Sequence, residues 1–142
     1  MWPVLDLRAF LSGCWRIDRS LVDRCHSIRG TLQGEARFSP DGSSLVYDER
    51  GILTFGNHHG PADQSYRYEF PRGATRASVR FRDGRLFHDL DLSLGHAVVS
   101  HACAPDLYNA RFVALDERRW ESAWKVTGPR KDQDIVTLYT RI

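Results

Sequence analysis

Apolar and polar side chains alternate along most of the chain. Trp15, Ile17, Arg19 and Leu21 share one side of an extended segment, with Arg16, Asp18 and Ser20 on the other. Tyr66, Tyr68 and Phe70 oppose Ser65, Arg67 and Glu69, and Ala77, Val79 and Phe81 oppose Arg76, Ser78, Arg80 and Arg82. A period of two marks strands with one face packed and one in water. Turn-forming groups such as Ser39-Pro40-Asp41-Gly42, Gly60-Pro61-Ala62-Asp63, Asp83-Gly84 and Gly128-Pro129 recur roughly every 8 to 12 residues. About ten strands joined this way form a meander, and closure removes the two edges that an open sheet would leave. Only residues 6–11 read as a helix, with Leu7, Phe10 and Leu11 at i, i+3 and i+4 and a stop at Ser12-Gly13. The predicted fold is all-β: one domain over residues 1–142, a closed antiparallel meander barrel of about ten strands with a short N-terminal helix.

Composition narrows the function. The 142 residues carry 20 Lys+Arg and 18 Asp+Glu, a formal net charge of +2. Both signs are interspersed, so no basic face for nucleic acid is expected. No apolar run approaches the ~20 residues of a membrane span. The opening Met1-Trp2-Pro3-Val4-Leu5-Asp6-Leu7-Arg8 has neither the basic nor the long apolar segment of a signal peptide. Cys14, Cys25 and Cys103 are odd in number and lack C-x-x-C spacing, which points to reduced thiols and a cytoplasmic protein. No cofactor or metal is expected, and nothing identifies a protein partner. A small-molecule ligand is the expected partner.

A few residues could carry chemistry. A two-residue turn at Asp83-Gly84 would set Val79 opposite His88 and Ala77 opposite Leu90. His88 would then lie on the inner wall, and Phe87 on the outer face with Arg80. His101 and Cys103 alternate on one side of a strand that Pro105 ends, and Asp106 and Tyr108 share a side of the next. These residues could converge. One reading makes His101 or His88 a general base, with Asp106 orienting it and Tyr108 donating to a ligand oxygen. The other makes them a buried polar network whose members satisfy one another. Cys103 serves packing better than nucleophilic attack, since no cation or helix terminus is evident beside it.

The remaining candidates suggest a cavity. Arg19 sits on an inward face and needs an anionic partner there, either Glu49 or Asp106 within the protein or an acidic group on a ligand. Trp120 and Trp124 share a face with Ser122 and Val126, while Tyr47, Phe55 and Tyr139 fall on inner faces of their strands. Aromatic walls with few polar tips suit a partly apolar organic ligand, although side chains alone can fill a small barrel. The expected ligand-binding set is Arg19, Tyr47, His88, His101, Cys103, Tyr108, Trp124 and Tyr139.

Gly13-Cys14-Trp15 after the helix, with Arg141 near the end of the last strand, resembles the calycins, the superfamily of lipocalins and fatty-acid-binding proteins. There a basic residue packs across the tryptophan of a G-x-W. A closer resemblance covers nearly the whole chain. Phe87-His88 before Leu90-Asp91-Leu92, His101-x-Cys103-x-x-Asp106-x-Tyr108, Trp124-x-Val126-x-Gly128-Pro129-x-Lys131-Asp132 and Thr137-x-Tyr139-x-Arg141 are similar to the motifs of an uncharacterised family of small β-barrel proteins. That resemblance implies a fold and a set of residues, with no activity attached. Fatty-acid-binding proteins end in an R-x-Y pair that holds a carboxylate. This chain ends in Tyr139-x-Arg141, so their ligand does not carry over.

Overall fold

The computed structural model describes residues 1–142. Helix α1 (Leu7–Leu11) precedes ten strands: β1 (Gly13–Asp23), β2 (Ile28–Asp41), β3 (Ser44–Phe55), β4 (His58–Glu69), β5 (Arg76–Arg80), β6 (Leu86–Asp91), β7 (His96–Cys103), β8 (Asp106–Asp116), β9 (Arg119–Gly128) and β10 (Lys131–Arg141). They form one antiparallel sheet in the order β6-β5-β4-β3-β2-β1-β10-β9-β8-β7. The first strand pairs with the last, setting Trp15 opposite Arg141 and Arg19 opposite Thr137. The sheet curls until β6 and β7 lie side by side, but no hydrogen-bonded ladder joins them. Aromatic contacts bridge that seam, with Phe87 of β6 5.3 Å from His101 of β7.

Helix α1 closes one end. Asp6 caps it by accepting from the Ala9 N–H at 2.9 Å, which satisfies one of its orphan donors. Leu7 and Leu11 point into the barrel and are fully buried. Trp15 Nε1 donates to the Leu11 carbonyl at 2.8 Å, and the Arg141 guanidinium lies 4.1 Å above the Trp15 ring. Arg141 also donates to the carbonyls of Ser12, at 2.8 Å, and Phe10. Gly13, at φ +106, makes the turn from helix to strand, and a Cβ there would meet Arg141 Nη1 at 3.3 Å. The first and last strands are thus clamped to the helix.

The β5–β6 hairpin departs from the expected two-residue turn. The Gly84 N–H bonds the Phe81 carbonyl and the Phe81 N–H bonds the Arg85 carbonyl, enclosing Arg82-Asp83-Gly84 with Gly84 at φ +91. This three-residue loop ends on a glycine in the left-handed region. Ala77 still faces Leu90 and Val79 still faces His88, but the next pair is Arg80 with Leu86. Phe87 is the extra, unpaired residue of a β-bulge. The bulge turns Phe87 inward, where strict alternation would have put it outside.

Candidate functional site

The end opposite α1 carries only turns, and a cavity of about 300 Å³ opens beneath them. Its floor is polar and built from inward positions of β1, β3 and β10. Arg19 grips Glu49 with two bonds, Nη1 to Oε2 at 2.6 Å and Nη2 to Oε1 at 2.9 Å, and its Nε donates to Thr137 Oγ1 at 2.8 Å. The Tyr47 hydroxyl donates to Glu49 Oε1 at 2.6 Å, and the Tyr139 hydroxyl lies 3.3 Å from that of Tyr47. Burial would lower the Arg19 pKa, yet the bonded Glu49 carboxylate more than offsets this, and the guanidinium stays charged. Burial raises the Tyr47 and Tyr139 phenols above their ordinary range. Of the two internal partners expected for Arg19, Glu49 is the one found.

The walls are aromatic. Phe87 and Trp124 stack at 4.9 Å with their planes 16° apart, and Tyr66 lies 5.6 Å from Phe87. Trp120 stacks on Tyr139 at 3.6 Å and 3°, sealing the floor on the side toward α1. His88 lines the cavity between Phe112, at 5.3 Å, and Trp124, at 5.5 Å. Its Nδ1 lies 2.9 Å from the Asp89 carbonyl. A carbonyl only accepts, so Nδ1 carries the proton and Nε2 keeps its lone pair. Burial lowers the His88 pKa from 6.5 to about 4, so the ring is neutral at pH 7. Nε2 makes no hydrogen bond within the protein.

The sequence-derived candidates divide into three groups. Arg19, Tyr47, His88, Tyr108, Trp124 and Tyr139 all line the cavity. His101 does not; it packs against Phe81 at 5.5 Å and Phe87 at 5.3 Å across the seam, and makes no hydrogen bond to Asp106. Asp106 turns instead to Lys131, 3.0 Å away, whose ammonium also caps the Tyr108 ring at the mouth. The combination of His101 as base with Asp106 as its orienting group is therefore not assembled. Cys103, at the tip of the β7–β8 hairpin, is exposed and outside the cavity; Cys25 is exposed as well. Phe55, expected on an inner face, lies at the end of β3 over Gly30. Two further cavity residues are Phe87, which alternation hides because of the bulge, and Thr137, which alternation places on the inward face two residues before Tyr139.

The chain belongs to the family of unknown function DUF6314, whose model matches residues 11–141. Among solved structures it is similar to an S-type phycobiliprotein lyase, CPES, from Guillardia theta. That match has 7% identity and a TM-score of 0.67, and covers 95% of this chain and 90% of the lyase. It is also similar to a de novo designed fluorescence-activating β-barrel, with 10% identity and a TM-score of 0.51 over 98% of this chain and 100% of the design. At these identities the likeness is one of fold. No curated protein matches the sequence.

Proposed function

We propose that this protein binds a small, partly apolar organic molecule inside the barrel, and that it does so in the cytosol. The observation that carries the reading is an open space of about 300 Å³ with aromatic walls and a polar floor. A barrel built only for stability would fill that volume with side chains, because empty apolar space forfeits packing energy. Concave, mostly apolar sites with a few fixed polar groups are the usual form of small-molecule sites. The likeness to a phycobiliprotein lyase is compatible with this and does not name the ligand. Proton transfer by His101 has no comparable support, since Asp106 is engaged by Lys131.

Native mass spectrometry of the protein purified from its own cells tests the reading. The expected result is a discrete non-covalent adduct that disappears on denaturation and is depleted in Trp124→Ala. Recovery of the bare polypeptide mass from wild-type protein would count against it.

A further inference from the structure

Resting on that reading, the hydrogen bonds of the cavity say what kind of molecule it takes. The positive charge of the floor is already used. The bidentate edge of Arg19 is closed by Glu49 and its Nε by Thr137, and Tyr47 adds a third donor to the same carboxylate. A ligand carboxylate would meet a guanidinium neutralised by Glu49 and would lose its hydration with no counter-ion left to replace it.

Four buried polar groups remain open, one of them the Tyr68 hydroxyl, which lines the cavity and makes no hydrogen bond. His88 Nε2 holds an unused lone pair, since Nδ1 is bonded to the Asp89 carbonyl. Thr137 accepts from Arg19, which leaves its own O–H free to donate. Ser122 stands opposite Thr137 in the β9–β10 ladder; it is buried, lines the same cavity and makes no side-chain hydrogen bond. These groups face a site whose apolar surface is largely aromatic, with Trp124 stacked on Phe87. We infer that the occupant is an uncharged, planar aromatic molecule carrying an N–H or O–H donor, of the carboxamide, phenol or pyrrole class, and that the cavity rejects carboxylates.

Three probes that share one ring system separate the terms: naphthalene-2-carboxamide, naphthalene-2-carboxylate and 2-methylnaphthalene, titrated calorimetrically at pH 7. For wild-type protein the carboxamide binds tightest. The carboxylate is weaker by about tenfold or more, through desolvation without a partner. The methyl compound is weaker by about fivefold, through loss of the hydrogen bond. Glu49→Gln, which frees Arg19, raises carboxylate affinity about tenfold and leaves the carboxamide within about threefold. His88→Leu removes the advantage of the carboxamide over the methyl compound. Should Glu49→Gln fail to fold, the wild-type series decides alone. Wild-type binding of the carboxylate or the methyl compound as tight as that of the carboxamide would overturn the inference while sparing ligand binding. Failure of all three probes, with wild-type protein and with Glu49→Gln, would overturn this inference, while the ligand-binding reading is decided separately by the native mass spectrum.

Discussion

The two ends of the barrel use the same residue types to opposite effect. Beside α1, Trp15, Phe38 and Trp120 pack ring against ring, with centroids 6.1 Å apart for Trp15–Trp120 and 6.5 Å for Phe38–Trp120. Leu7 and Leu11 fill what the rings leave. At the other end Tyr66, Phe87 and Trp124 border a space that no helix enters. Polar groups divide in the same way. Near α1, Arg141 is bonded to backbone carbonyls and lies on an indole, whereas near the mouth His88 keeps one nitrogen unbonded. Aromatic content alone therefore does not mark a binding cavity. The mark is aromatic surface beside polar atoms that are unbonded and reachable. His96 Nδ1 and Trp120 Nε1 are unbonded too, but both atoms are buried.

The comparison breaks if the two ends respond alike to truncation. Trp15→Ala removes a fully buried ring and should cost about 3–5 kcal/mol in urea unfolding, whereas half-buried Trp124→Ala should cost about 1–2 kcal/mol. Equal costs would mean that the cavity end is packed as core. A smaller effect comes from His88. Between its folded pKa of about 4 and its unfolded value of 6.5, the unfolded chain binds a proton that the folded protein does not. Stability is therefore complete above about pH 6.5 and falls as pH drops toward 4, by on the order of 3 kcal/mol. His88→Phe should flatten that slope, as unfolding at pH 7 and pH 4.5 would show. Arg141→Met should cost about 2 kcal/mol through the lost cation–π contact and carbonyl bonds, with ligand affinity unchanged. The smallest effect is expected at the rim. Asp106→Asn loosens a half-exposed pair with Lys131 and should change stability by less than about 1 kcal/mol.

Much of this was legible in the sequence because strand alternation is local. Trp15, Ile17, Arg19 and Leu21 can be assigned inward from period two alone, and the resemblance to a G-x-W paired with a terminal arginine places Trp15 beside Arg141. Pairing across the barrel is not local. That Arg19 meets Glu49 rather than Asp106 depends on which strands lie across the interior, and a pattern along one strand does not carry that. Phe87 escapes the pattern because one residue more in the β5–β6 loop than a tight turn needs brings a bulge and redirects a side chain. His101 and Asp106 resemble partners in the sequence because they flank Pro105. The hairpin instead pairs His101 with Tyr108 and Cys103 with Asp106, while Lys131 on the neighbouring hairpin claims the carboxylate.

The most direct test of a packed end and a receiving end is to follow the four indole N–H signals in a nitrogen-15 correlation spectrum while titrating naphthalene-2-carboxamide. Trp2 and Trp15 sit at the helix end, Trp120 between the two regions and Trp124 on the cavity wall. A saturable shift of Trp124, a smaller one of Trp120, and no change at Trp2 or Trp15 are expected. Movement of Trp15 or Trp2 with Trp124 unchanged, or no movement at any of the four, would contradict that division of the barrel.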